Sequence, residues 1–189
     1  MSSGVPDGLW LVESLLNSVE IEAGADDLRD LAGFRQWLTA HATLAAERGR
    51  PETAARLAAE PAEADLGLAR RLRDELRAEA VTHHRGGADR DRAGLRAVAA
   101  ELPLLAHVPL LVPAGEGTRA ALAEVLADIV QSGPEWRRVK ICPADDCQWA
   151  YYDASKNSSR RWCSMELCGN RNKTKKYRQR QAAHAPATD

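Results

Sequence analysis

The stretch that decides the fold of the C-terminal part is "CPADDCQWAYYDASKNSSRRWCSMELC", residues 142–168. It holds all four cysteines of the chain, in two pairs that each enclose four residues. Cysteines clustered in this way in an intracellular chain favour a metal over disulfides. A set of four thiolates leaves no coordination position open, as is typical of structural zinc. We therefore predict one structural Zn²⁺ rather than four free thiols, held by Cys142, Cys147, Cys163 and Cys168.

The residues between the two pairs predict a β-hairpin. Aromatic residues at 149–152 and the Arg161-Trp162 pair favour strands, and "DASKNSS" at 153–159 has the composition of a turn. A helix from near Cys168 to about residue 181 completes a treble-clef-like plan. A module of about 40 residues cannot build a sufficient core, so metal binding, worth roughly 10–16 kcal/mol in finger peptides, would fold it. We expect its aromatic residues to form that core rather than stack on bases: Trp149, Tyr151 and Trp162.

Charge is distributed unevenly along the chain. Residues 1–136 carry 14 Lys/Arg and 22 Asp/Glu, whereas residues 137–181 carry 12 Lys/Arg and 4 Asp/Glu. On the predicted C-terminal helix, residues 171, 175 and 178 share one face, and residues 173, 176 and 180 share another. A positive surface of this kind suits phosphates, although a merely solvated basic helix is the alternative. The predicted nucleic-acid contacts are Arg160, Arg161, Arg171, Lys173, Lys175, Lys176, Arg178 and Arg180.

The N-terminal part predicts a mainly helical domain with a short β element, so the chain as a whole is α+β. Apolar spacing predicts five helices before residue 102. The first covers about 8–22, and the second runs from a cap at Asp26 or Asp27 to about 46. The others cover about 51–60, Pro61 to near Gly86-Gly87, and about 89–101. Prolines at 103, 109 and 113 predict two extended segments, and Thr118 would cap a last helix that ends at Gly133. The predicted domains are 1–134 and 135–181, with a flexible tail at 182–189.

The N-terminal part shows little catalytic chemistry. The sequence contains no glycine-rich phosphate loop, no G-x-S-x-G and no H-E-x-x-H. We interpret His83 and His84 as residues at a helix end that serve the helix dipole or solvent. No secretory signal and no apolar run of about 20 residues is present, so we expect a cytoplasmic protein without a membrane partner.

Residues 142–180 resemble the CGNR zinc finger, named for the tetrapeptide that stands here at 168–171. The resemblance includes the "RRWCSM" run at 160–165, with Tyr151 where the family usually has Phe and Lys156 where it usually has Arg. "GFRQWL" at 33–38 and "LRDELR" at 72–77 resemble landmarks of the ABATE domain that precedes this finger in the family. The resemblance implies a bacterial stress-related transcription regulator.

The first hypothesis is therefore a regulator that binds duplex DNA, while its N-terminal domain senses a small ligand or recruits a protein partner. A single finger has a small footprint, so specific recognition would call for a homodimer. The alternatives are an RNA-binding or protein-interaction zinc module and a thiol switch that releases zinc on oxidation. Treble-clef nucleases need a histidine in the module, and residues 142–183 contain none, so we predict that the chain is not an enzyme. Asn170 could contact a base, but beside Cys168 we expect it to brace the metal loop.

Overall fold

The computed structural model describes residues 4–85 and 90–183. Within these ranges the helices are α1 Trp10–Leu16, α2 Leu31–Glu47, α3 Pro51–Leu57, α4 Glu63–Thr82, α5 Ala93–Ala100, α6 Thr118–Ser132 and α7 Asn170–Ala183. The strands form two-stranded antiparallel sheets: β1 Val19–Glu20 with β2 Ala25–Asp26, β3 Leu104–His107 with β4 Leu110–Pro113, and β5 Val139–Ile141 with β6 Ala150–Tyr152. The predicted mixture of many helices with short strands is confirmed.

The main core lies between α1, α2, α4 and α6. Helix α4 contributes Leu68, Leu72 and Leu76, which are spaced four residues apart and therefore share one buried face. Each such side chain stabilises the fold by roughly 1.5–3 kcal/mol through burial. Val139 and Ile141 of β5 belong to the same core, so the strand that leads into the first cysteine is anchored in the N-terminal part.

Helix α1 is shorter than the sequence predicted. It ends at Leu16 rather than near residue 22, and β1 and β2 occupy the following positions. The Asn17 side chain explains the end of the helix, because its amide bonds both backbone groups of Ala150 at 2.9 and 2.7 Å. A partner distant in sequence thus overrides the helical pattern.

Two predicted helix caps are also corrected. Helix α2 is capped by Asp30, whose carboxylate accepts from the Gly33 amide at 2.8 Å. Asp26 instead pairs with the buried Arg73 at 2.6 Å. Thr118 is the first residue of α6, and its hydroxyl bonds the Ala59 carbonyl at 3.4 Å rather than capping the helix.

Other predictions for the N-terminal part hold. Helix α3 begins at Pro51, α6 ends before Gly133, and the proline-bounded segments pair as β3 and β4. Helix α4 runs into a 3₁₀ turn at His83–Arg85, while the predicted break at Gly86-Gly87 lies outside the described residues. In the described part of the chain, no helix is both long and apolar enough to cross a membrane.

Candidate metal centre and basic helix

The first cysteine pair lies on the turn between β5 and β6. The Cys142 amide donates to the Trp149 carbonyl at 2.9 Å, which continues the strand ladder by one pair. The amides of Cys147 and Gln148 both donate to the Ala144 carbonyl, at 3.0 and 3.1 Å. These bonds close a tight turn that directs both sulfurs to the same side.

The predicted hairpin is wrong in its pairing. β6 pairs with β5, which precedes the cysteines, and not with Arg161-Trp162, where the structure has no strand. Asp153 explains why the chain leaves the sheet after β6. Its carboxylate accepts from the Ser155 amide at 3.0 Å and from the Arg160 amide at 2.9 Å, so residues 153–160 form a closed loop instead of a second arm.

Asp153 is also half of a buried ion pair. Its Oδ2 lies 2.7 Å from Lys140 Nζ, and both side chains are almost fully enclosed. Lys140 further donates to the Ser158 carbonyl at 2.5 Å. Burial alone would raise the pKa of Asp153, but the hydrogen bonds from Lys140 and Ser155 outweigh burial and lower the pKa. The pair therefore ties β5 to the loop that leads to the second cysteine pair.

The second cysteine pair lies around a π-helical turn, Met165–Gly169, that leads directly into α7. Ser164 caps this turn by accepting from the Leu167 amide at 3.2 Å. A Cβ on Gly169 would lie 2.9 Å from the Met165 sulfur, so a larger residue here would displace the Met165 side chain. Asn172 donates to the Cys168 carbonyl at 3.0 Å, whereas Asn170 is exposed, so the brace of this loop is Asn172.

The four sulfurs converge to within 4.8 Å of one another. Cys147 Sγ lies 3.5 Å from Cys163 Sγ, and Cys163 Sγ lies 3.6 Å from Cys168 Sγ. A tetrahedron with Zn–S bonds of about 2.3 Å has sulfurs about 3.8 Å apart, so the spacing of this donor set is close to what zinc requires. Burial raises the pKa of Cys168 to about 12. A thiolate at this position therefore needs a neighbouring cation, which a bound metal would supply.

Polar contacts fix the part of the chain that carries the cysteines, the predicted domain 135–181 and here called the metal module, to the N-terminal part. Sequence reasoning missed these contacts. His83 Nδ1 donates to the Val139 carbonyl and His84 Nε2 to the Ile141 carbonyl, both at 2.6 Å. Burial lowers the pKa of both imidazoles. The two histidines lie at the end of α4, as predicted, but they hold β5 instead of serving the helix dipole or solvent. Arg77 adds a bond to the Gln148 carbonyl at 2.9 Å.

Helix α7 projects from this base with its basic residues exposed. The described side chains from Lys173 to Gln181 are all exposed, so this part of the helix buries no apolar face. Lys175 and Arg178 lie on one side of the helix, while Lys173 and Arg180 lie on the opposite side. The side chain of Lys176 lies outside the described residues.

The remaining predicted contacts have partners within the protein. Arg160 donates to the carbonyls of Trp162 and Cys163 and lies over the Tyr151 ring, so it supports the loop between the pairs. Arg161 is exposed and lies over the Trp162 ring. Arg171 Nη1 pairs with Glu22 at 3.1 Å and with Asp146 at 2.9 Å.

The aromatic residues of the module divide into two groups. Tyr151 is buried in the small core with two of the cysteines, and Trp162 packs against that core. Trp149 does not follow the prediction, because it is 39% exposed. It lies at a shallow pocket with Trp37 and His41 of α2. Its neighbour Ala150 uses the inward position, which directs Trp149 to the surface.

A sheet turn and a helical turn that each supply two cysteines to one cluster define a zinc-finger-type domain. The comparison with protein families agrees, because residues 138–181 match the CGNR zinc finger. The match covers the module and leaves the N-terminal part, up to residue 137, outside it. A search of curated proteins returned no significant match to the chain.

Proposed function

We propose that the chain is a bacterial transcription regulator that binds duplex DNA through α7, with Cys142, Cys147, Cys163 and Cys168 holding one structural Zn²⁺ in a treble-clef-like module. The observation that carries this proposal is the position of α7. It begins two residues after Cys168, and its 14 residues include six lysines and arginines and no acid. A rigid metal base would therefore present a concentrated positive charge.

Basic residues lie on opposite sides of α7, and this distribution favours insertion of α7 into a DNA groove over contact with a single phosphate backbone. A helix of 14 residues is about 21 Å long and fits the major groove, which is about 12 Å wide. Lys175 and Arg178 would then approach one backbone, while Lys173 and Arg180 approach the other. Because Arg160 donates inward, we place it among the supporting residues and keep Arg161 as a phosphate contact.

In this proposal the region 1–134 is an ABATE-like domain that senses a ligand or recruits a partner in a stress response, and the chain acts as a binding protein without catalysis. Contacts with β5, β6 and the turn between them support such a role, and they come from Asn17, Arg77, His83 and His84. They form a direct physical link between the N-terminal core and the metal module.

The test is fluorescence polarisation of the zinc-loaded full chain with random-sequence duplex DNA at 50 and 200 mM salt. With about six phosphate contacts, affinity should fall on the order of a thousandfold across this range. A quadruple Gln variant of Lys173, Lys175, Arg178 and Arg180 should lose most of the binding. The control variant, R29Q/R35Q/R48Q/R71Q, removes the same charge from the N-terminal part and should bind normally.

Structured RNA of equal length serves as the competitor. If RNA displaces the duplex at equal or lower concentration, the RNA-binding alternative replaces duplex DNA. If neither nucleic acid binds at 50 mM salt, the proposal is wrong and a protein partner for α7 becomes the better explanation.

A further inference from the structure

A cavity of about 600 Å³ opens between α4, α5 and α6, apart from the metal centre and α7. Its walls are formed largely by apolar side chains that are only half buried, so the main core stays open on this side. The principal wall residues are Leu95, Leu104, Leu111, Ile129 and Trp136. Cavities of roughly 300–1,000 Å³ with apolar walls and a few polar groups are typical of small-molecule sites.

The charged residues around this cavity are mostly positive. Arg92, Arg96 and Arg137 line it together with a single acid, Glu79. Glu79 already pairs with Arg92 at 2.7 Å, and Arg96 reaches Asp91 only at 3.6 Å across an exposed surface. Arg137 makes no ion pair with any residue in the ranges 4–85 and 90–183. The net positive charge beside apolar walls selects an anion that carries an apolar body.

We propose that this cavity binds a small amphipathic organic anion, a carboxylate or sulfonate with an aromatic or aliphatic body. The body would lie against Leu104, Ile129 and Trp136, and the acid group would pair with Arg137 and Arg96. Guanidinium groups suit this role because they bind planar carboxylates through two parallel hydrogen bonds.

The cavity shares a wall with the contacts that hold the metal module. His83 lines the cavity and packs edge-on against Trp136, with the two ring centroids 5.0 Å apart. The same imidazole donates to the Val139 carbonyl. A ligand that contacts Trp136 would therefore touch the residues that position β5, and this strand ends directly before Cys142. This inference deepens the sensing role within the proposed function, but its test does not depend on nucleic-acid binding.

The experiment uses 8-anilinonaphthalene-1-sulfonate as the probe and N-phenyl-1-naphthylamine as a matched neutral probe, with the zinc-loaded full chain. We expect one sulfonate probe per chain with micromolar affinity. Octanoate should displace the probe, while octylammonium should not. R96Q/R137Q should weaken the sulfonate about tenfold and leave the neutral probe unchanged, because only a charge-assisted contact is lost. The matched control R29Q/R35Q should bind both probes like the native chain.

A99F fills the cavity and should abolish binding of both probes. Circular dichroism and a cooperative thermal transition verify that each variant is folded, because partly unfolded chains also bind the sulfonate probe. Equal loss of both probes in R96Q/R137Q, or no effect of that variant, would overturn the proposed anion. The absence of stoichiometric binding at 1 mM probe would overturn the site itself, whether or not the chain binds DNA.

Discussion

Arg171 Nη1 lies 3.1 Å from Glu22 Oε1, so the first basic residue of α7 is paired with the turn between β1 and β2. The second partner of Arg171, Asp146, lies between the first two cysteines and is 2.9 Å away. These pairs raise the pKa of Arg171. All three side chains are exposed to solvent, which screens the two ion pairs, so these pairs add little stability. The phosphate backbone could therefore compete for Arg171.

The variant E22Q/D146N should bind duplex DNA about three- to tenfold more tightly, because it frees Arg171 and removes two acids beside α7. The slope of log affinity against log salt should steepen by about one unit. Polarisation titrations at several salt concentrations measure both quantities.

The control for this change is E47Q/E52Q, which alters the net charge equally but leaves both ion pairs of Arg171 intact. Adding R171Q to E22Q/D146N should cancel the gain. A gain that persists without Arg171 would show that general repulsion, and not the ion pair, limits the affinity.

Removal of zinc should destabilise the whole chain and not only the module. Val139, Ile141 and Ala150 belong to the main core, so disorder around the cysteines would expose part of that core. We expect one bound zinc per chain by elemental analysis and its loss in C147S. Chelation should lower the midpoint temperature of the single thermal transition, since metal binding contributes roughly 10–16 kcal/mol of folding free energy in finger peptides.

Re-addition of zinc should restore the transition in the native chain and fail to do so in C147S. Two separate transitions, of which the larger is insensitive to chelation, would contradict this coupling. Such a result would mean that β5 stays packed on α4 without the metal.

Local signals in the sequence were sufficient for the metal centre. Cysteine spacing identified the cluster, and Gly133 with its following proline marked the end of α6. The pairing of β6 depends on contacts between residues that are separated in the sequence. Tyr151 and Trp162 have equal strand preference, and only the bonds of Asp153 to Lys140 and Arg160 decide that the chain turns away after β6.

The contacts of the module with the N-terminal part had no local signal. Asn17 and Ala150 are 133 positions apart, and a single amide side chain gives no periodic pattern. The adjacent histidines at 83 and 84 lie at the end of a predicted helix, and that position explains them without any partner. Their role depends on β5 lying beside α4, which only tertiary packing determines.

The buried pair of Lys140 and Asp153 makes a strong stability prediction. D153N should lower the free energy of unfolding by about 3–5 kcal/mol, because the Lys140 ammonium would stay buried without a counter-charge. Urea denaturation of the zinc-loaded protein measures this loss. The control D145N changes an exposed neighbouring acid and should stay within about 0.5 kcal/mol of the native chain.

The same pair has a defined pH window. Because the folded protein lowers the pKa of Asp153, the stabilisation is present above the unfolded value near 4 and is lost as the pH falls further. D153N should therefore differ most from the native chain at neutral pH and least in acid. With zinc chelated from both proteins, so that its release in acid does not enter, an equal difference at pH 7 and pH 3 would refute a role for the charge.

His83 should make stability depend on pH in a higher range. Burial lowers the pKa of His83, so the folded protein keeps this imidazole neutral where the unfolded chain, with a pKa near 6.5, takes up a proton. The free energy of unfolding should therefore fall as the pH drops from 7.5 to 5.5, by at most about 1.4 kcal/mol per pH unit. H83N should reduce this slope, because its amide can still donate to the Val139 carbonyl but cannot take up a proton at these pH values.

Denaturant unfolding at several pH values compares H83N with the native chain. Asp128, whose pKa burial raises to about 6, contributes an opposite slope, but it does so equally in both proteins and cancels in the difference. H107N is the matched control, since His107 lies exposed on β3, and it should keep the native slope. If H83N also keeps that slope, then folding does not change the protonation of His83, and the proposed effect of burial on its pKa is wrong.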